Sequence, residues 1–197
     1  PYDLERNPGG SSGGTGAAVA ASFAAAGMGS DTCGSIRIPS SHNNLVGLRG
    51  TQGLSSRTGI VPLSSTQDIG GPLARTIADL AIMLDATVGA DPADRSTSAS
   101  AGHIPASYRT ALSGAALEGT RLGVVRALFG DAPDDREVGT VVQKAVDALK
   151  QGGVEVVDIV VPGLDDLLRD SSMIDADFKF DLADYLAGAG NAPVRSL

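Results

Sequence analysis

The chain has 197 residues, enough for one ordinary domain that buries roughly 70% of its unfolded surface. Its 15 basic and 23 acidic residues leave a net charge of −8 and only 4% of residues are aromatic, so a phosphate backbone is repelled, few rings can stack on bases, and nucleic acid is excluded as a direct ligand. A single cysteine rules out an internal disulfide or a thiolate zinc site, and His42 and His103 stand too far apart in sequence to suggest a metal site.

No metal and no cofactor are therefore expected. The longest apolar stretch, Ala17 to Met28, falls well short of the ~20 residues a spanning helix needs, so no membrane partner is expected either. The chain opens on Pro1, with no charged-then-apolar leader before its first motif. Further sequence is expected upstream, and the cytoplasm is favoured as location without any residue specifying it.

In chain order, Gly9-Gly10-Ser11-Ser12-Gly13-Gly14 is a loop of permissive backbone leading into an alanine-rich stretch. The spacing predicts a tightly packed buried helix over 17–26. From Gly29 to Pro62, runs such as Leu45-Val46-Gly47-Leu48 and Gly59-Ile60-Val61-Pro62 are too short for helices and predict strands or turns. Ile77, Leu80, Ala81, Leu84 and Val88 recur at helical spacing behind Thr76, with Asp79 placed to complete a cap and Gly89 to stop the helix. Residues 90–118 predict a polar surface connection.

Beyond Gly119, Leu122 to Val125 reads as a strand. Val138, Val141, Val142, Ala145, Val146 and Leu149 mark one side of a helix that Gly152-Gly153 ends, and Val154 to Val161 is a β-branched strand closed by Pro162. A helix crossing between two such strands implies parallel pairing. The fold class is thus expected to be α/β, a mixed sheet with helices on both faces. A further helix is predicted near Asp177 to Leu186. All three lysines, Lys144, Lys150 and Lys179, lie in the last third of the chain.

A glycine-rich loop opening a helix can cradle an anion. This one lacks the Gly-Lys-Ser/Thr ending of a phosphate loop, does not fit G-x-G-x-x-G, and is not the G-x-S-x-G nucleophile elbow. Neither histidine lies in a motif that would make it the base of a serine triad.

Serine can instead be activated by a neutral lysine. Gly9 to Gly14, followed by Gly29-Ser30-Asp31-Thr32-Cys33-Gly34-Ser35-Ile36-Arg37-Ile38-Pro39, resembles the signature of the amidase signature family, hydrolases with a Ser-cisSer-Lys triad. The family's two serines are 24 positions apart, as are Ser11 and Ser35 (35 − 11 = 24). The resemblance continues through Gly47-Leu48-Arg49-Gly50-Thr51-Gln52-Gly53, Gly59 to Leu63 and Asp68-Ile69-Gly70-Gly71-Pro72-Leu73-Ala74-Arg75-Thr76. It is weaker at Asp177-Phe178-Lys179-Phe180-Asp181-Leu182 and Pro193-Val194-Arg195-Ser196-Leu197.

That resemblance implies an amidase with Ser35 as nucleophile, forming an acyl-enzyme, and Ser11, behind a cis peptide bond, relaying a proton to a lysine. It implies an oxyanion hole from the backbone N–H groups of Thr32, Cys33, Gly34 and Ser35, with Ser12 in support. Asp31 and Arg37 are read as a structural pair bracketing the nucleophile, and Asp68 as bonding nearby backbone. The family usually has glycine where Cys33 stands. Its lysine lies far upstream of the first serine, whereas only 10 residues precede Ser11 here; Lys144, Lys150 and Lys179 are not taken as stand-ins. The reading is one amidase signature domain over 1–197, cut at both ends, with a signature core over 1–95, a strand–helix–strand unit over 119–161 and a helical tail over 162–197. Such a piece is expected to be silent by itself. The partner implied is a small-molecule amide, with a homodimer allowed. An amidotransferase subunit of the same family and an inactive homologue serving as a binding module are the alternatives.

Overall fold

The computed structural model describes residues 3–113 and 117–196. Contacts divide the chain into two units: one runs to Ser113 and resumes at Ser172, and the other fills the interval up to Ser171. Residues 114–116 of the expected polar connection, and Leu197 at the end of the last matched stretch, lie outside the described residues.

The first unit contains α1 (Gly13–Ala20), β1 (Ala26–Asp31), α2 (Arg37–His42), β2 (Val46–Gly47), β3 (Ile69–Ala74) and α3 (Ile77–Thr87). The central strand β3 pairs antiparallel with β1, from Ala26↔Ala74 to Asp31↔Ile69, and with β2 at Val46↔Ala74 and Gly47↔Leu73. Proline inside a central strand needs an account, because it brings no ladder donor. The Pro72 carbonyl accepts the Leu48 N–H at 3.2 Å, so its nitrogen also faces the β2 side, where regular pairing has ended. The missing donor therefore leaves the β1 ladder intact. Ala74, Leu80 and Leu84 form a buried cluster with Ala26, Val46, Leu48, Val88 and Tyr108 packed on it, and Val19, Ile36 and Leu73 are fully buried.

The alanine-rich helix is shorter than expected. It ends at Ala20, Ser22 turns the chain with φ +62°, and residues from Ala26 on become β1. Arg75 explains part of this: its Nη1 donates to the Val19 and Ala24 carbonyls at 3.0 and 3.1 Å, satisfying acceptors that a continuing helix would have used. Six residues paired against β3 outweigh alanine's preference, which is worth only tenths of a kcal/mol per residue, of order ~0.5.

Residues 37–42, expected as strand or turn, form α2. Pro39 lies in its first turn, where the N–H has no intrahelical partner and its loss is harmless. The helix expected behind Thr76 is present as α3, with Thr76 Oγ1 accepting the Asp79 N–H at 3.0 Å. The stretch after it is less superficial than expected. It holds two 3-10 turns, Arg95–Ser100 and Tyr108–Leu112, and buries Asp94 and Thr97. Burial of Asp94 is compensated by Arg57, whose Nε and Nη2 donate to its two oxygens at 3.0 and 3.1 Å.

The second unit contains β4 (Arg121–Val124), α4 (Pro133–Gln151), β5 (Glu155–Asp158) and α5 (Leu164–Asp170). β4 and β5 pair parallel, as the strand–helix–strand pattern predicts. Parallel and antiparallel pairings thus fall in separate sheets. Val124, Val146 and Val154 are buried, whereas Val138, Val141 and Val142, expected on the inner side of α4, are exposed. Length accounts for this: four-residue strands reach ~13 Å, while 19 helical residues span ~28 Å, so the sheet covers only part of the helix.

The chain returns to the first unit through α6 (Ile174–Gly188), which contains the predicted segment near Asp177 to Leu186. No α6 residue is fully buried, and carboxylates hold it to the loop before β3. Asp177 Oδ2 accepts from the Ser64 and Thr66 hydroxyls at 2.5 and 2.6 Å, and Asp181 Oδ2 accepts the Ser65 N–H at 2.6 Å. Among the described residues no helix is long and apolar enough to cross a membrane.

Candidate active site

Two loops of the first unit meet at the edge of β1. The glycine-rich loop enters α1, and the Gly10–Ser11 peptide bond within it is cis, where the family resemblance places one. Ser11 is exposed, and Ser12 and Ser35 are half-buried. The Ser12 N–H donates to the Ser35 carbonyl at 3.1 Å, and Ser12 Oγ donates to the Ser30 carbonyl at 3.3 Å. Ser12 therefore ties the first loop to both ends of the Asp31–Ser35 turn. It fits there because position 29 is glycine: a Cβ at Gly29 would lie 2.4 Å from Ser12 Oγ.

Asp31, the last residue of β1, organises the second loop. Its side chain is fully buried and accepts the N–H of Gly34 at 2.7 Å, of Ile36 at 3.1 Å and of Arg37 at 3.3 Å. Arg37 donates from Nε at 3.1 Å and from Nη2 at 3.2 Å. Arg49 adds Nη1 to Oδ1 at 3.2 Å. Burial alone would raise the Asp31 carboxyl, but the hydrogen bonds from Arg37 and Ile36 and the charge of Arg37 outweigh it and hold the group at about 2. The same bond to Asp31 raises Arg37.

With Asp31 taking so many donors, the turn cannot relax without breaking several charge-assisted bonds at once. Gly34 turns at φ +147°, a conformation that suits glycine. Its N–H points at Asp31, which corrects the expected oxyanion set: a buried carboxylate needs that donor, so Gly34 is committed elsewhere. Among the described residues the N–H groups of Thr32, Cys33 and Ser35 have no hydrogen-bond partner. Thr32 is buried, and its hydroxyl donates to Asp68 Oδ1 at 2.5 Å. Cys33 is exposed.

Lys144, Lys150 and Lys179 are all exposed, so none has the burial that would keep an amine neutral. Among the described residues no group of three or more His, Cys, Asp or Glu is arranged to hold a metal ion. Two contributors were not legible as site residues. Arg49 lies in a stretch that matches the family, but nothing in its spacing says that it reaches Asp31. Asn43 is fully buried and donates through Nδ2 to the Pro8 and Pro39 carbonyls, both at 2.8 Å, which anchors the chain just before Gly9.

A mixed α/β chain with these two serine loops corresponds to known proteins. Residues 1–193 match the Amidase family model, and the chain belongs to that family. A probable amidase of Arabidopsis thaliana is 36% identical over 198 aligned residues, covering 100% of this chain and 38% of its own length. A glutamyl-tRNA(Gln) amidotransferase subunit from Desulfatibacillum aliphaticivorans is 44% identical over 162 residues, 82% of this chain and 33% of its own. The solved native peptide amidase of Stenotrophomonas maltophilia superposes with a TM-score of 0.89 at 35% identity, across 100% of this chain and 40% of its own. The fold is that of the amidase signature enzymes, and the chain spans about two fifths of the length of that peptide amidase.

Proposed function

We propose that this protein hydrolyses the C–N bond of a carboxamide through an acyl-enzyme on Ser35. Ser35 Oγ attacks the carbonyl carbon while its proton passes to Ser11 and on to a lysine that family resemblance places upstream, outside these 197 residues. The carbonyl oxygen takes the negative charge and is met by the N–H groups of Thr32, Cys33 and Ser35, each such donor being worth about 3 kcal/mol in a transition state. The C–N bond then breaks with the proton returned to the leaving nitrogen, and water releases the acid from Ser35. A small-molecule amide is the proposed substrate, and a homodimer the proposed assembly.

The observation that carries this reading is the turn after Asp31. It leaves the N–H groups of Thr32, Cys33 and Ser35 itself without partners among the described residues, while the Asp31 carboxylate occupies the surrounding donors. The test is reaction of the full-length protein with a fluorophosphonate, with the labelled peptide mapped. Label on Ser35, lost together with amide turnover in Ser35→Ala, supports the reading; label on another serine with Ser35→Ala still active overturns it. Residues 1–197 alone, with no buried lysine among the described residues, are proposed to be silent.

The 44% identity to a glutamyl-tRNA(Gln) amidotransferase subunit favours one second reading, in which the ammonia released passes to an acyl acceptor. Turnover confined to glutamine, with partner proteins retained on purification, would select it. No labelling and no turnover would select a binding module.

A further inference from the structure

We infer that Asp68 is a positioning residue for the oxyanion site, acting through Thr32. The inference rests on the reading of Ser35 as nucleophile and names what aims the first of its three N–H donors. The ladder between β1 and β3 ends at Asp31↔Ile69, so Thr32, just after β1, and Asp68, just before β3, are the next residues along the two strands and face each other just beyond it. Both are buried, at 6% and 4% exposure. Their contact is the bond from Thr32 Oγ1 to Asp68 Oδ1 at 2.5 Å, while the other carboxylate oxygen accepts the Leu63 N–H at 2.8 Å and the Ser64 N–H at 3.0 Å.

Thr32 stands just past the last paired residue of β1, at the start of the turn that Asp31 organises. Its N–H shares one planar peptide with the Asp31 carbonyl, which Arg49 Nη1 holds, so Arg49 fixes one side of that peptide and the Thr32 side chain, bonded to Asp68, fixes the other. An oxyanion donor works only when it is aimed at the place the charge develops, within ~2.7–3.1 Å. A carboxylate anchored by two backbone N–H groups is a stiffer acceptor than a hydroxyl or water would be, since bonds to an ionised group are shorter and stronger. Ser64 extends the anchor, giving its hydroxyl to Asp177 of α6.

A purely structural role for Asp68 would show in unfolding and leave turnover per folded molecule unchanged. The experiment measures kcat, KM and thermal midpoint on a primary amide for the full-length protein and for Thr32→Val, Thr32→Ser, Asp68→Asn, the Thr32→Val/Asp68→Asn double variant and Ser35→Ala. Thr32→Val and Asp68→Asn are expected to lower kcat about ten- to a hundredfold with KM within about threefold, the double variant to fall no further than the worse single, and Thr32→Ser to stay within about threefold of the parent. Unchanged kcat in Thr32→Val, effects that multiply in the double variant, or a shift in thermal midpoint alone would overturn the inference. If Asp68→Asn does not fold, the contrast between Thr32→Val and Thr32→Ser decides. Turnover surviving in Ser35→Ala would instead bring down the nucleophile reading, and this inference with it.

Discussion

Arg49 reaches Asp31 from 18 residues away, giving Nη1 both to the carboxylate at 3.2 Å and to the Asp31 carbonyl, while its Nη2 holds the Gln67 carbonyl at 2.9 Å. One guanidinium thus joins the end of β1 to the residue two before β3. A lysine carries the charge but not the fork. Arg49→Lys is therefore expected to leave at least one of these acceptors unpaired and to destabilise the protein by about 1–3 kcal/mol. Urea unfolding measures this, and an unchanged midpoint would show that the fork contributes nothing.

The Asp31 carboxyl also sets an acid limit. Its folded pKa, about 2, lies below the ordinary 3.8, so its contribution is fully present above about pH 4 and is lost as pH falls through about 2. The difference corresponds to about 2 kcal/mol. Asp94, held below the ordinary carboxylate range chiefly by Arg57, acts in the same direction. Stability from urea midpoints is expected to be level near neutrality and to drop steeply below about pH 4. In Asp31→Asn the protein should be weaker at pH 7, with a shallower acid drop; an acid drop as steep as the parent's would assign the effect to other carboxylates.

How much of this was legible in the sequence depended on whether the signal was local. The α3 cap at Thr76 and the parallel β4 and β5 strands are written in neighbouring residues, and the structure has them. The end of α1 is not, because it is set by Arg75, more than 50 positions on, and by pairing with β3. The same holds within the site. The spacing of Ser11 and Ser35 is a sequence fact, and so is the tie between Asp31 and Arg37 six positions on, whereas Arg49 and the Thr32–Asp68 bond arise only when β1 meets β3. Gly34 was expected among the oxyanion donors because the motif shows which N–H groups are near Ser35, but not where they point.

Gly29 makes room for Ser12. A Cβ there would lie 2.4 Å from Ser12 Oγ, 2.9 Å from Ser12 Cβ and 3.1 Å from Leu73 Cδ1, so in Gly29→Ala either Ser12 or β1 must shift. Ser12 sits between Ser11 and the Ser35 carbonyl it bonds. Activity is therefore expected to fall at least tenfold, while overpacking costs about 1–3 kcal/mol of stability. Slower fluorophosphonate labelling at Ser35 in protein shown to be folded would locate the defect in the site. Labelling at the parent rate would mean that the strand absorbs the methyl group.

Cys33 poses the sharpest choice between a side chain that reacts and a backbone that merely donates. It lies between Thr32 and Gly34 in the turn, its side chain is exposed, and it makes no hydrogen bond to the surrounding network among the described residues. What it offers the proposed mechanism is its N–H, which glycine offers equally. Cys33→Gly adds backbone freedom to the turn, but Asp31 still fixes Gly34, Ile36 and Arg37 on the far side. Activity in Cys33→Gly is accordingly expected to stay within about tenfold of the parent, or ~1.4 kcal/mol. A thiol nucleophile predicts the opposite: Cys33→Gly inactive, and the parent inactivated by iodoacetamide at a rate that substrate slows. Iodoacetamide inactivation alone would not decide, because a bulky adduct at position 33 crowds the space above the Ser35 N–H whichever group attacks. Only the two results together would transfer the nucleophile from Ser35 to Cys33.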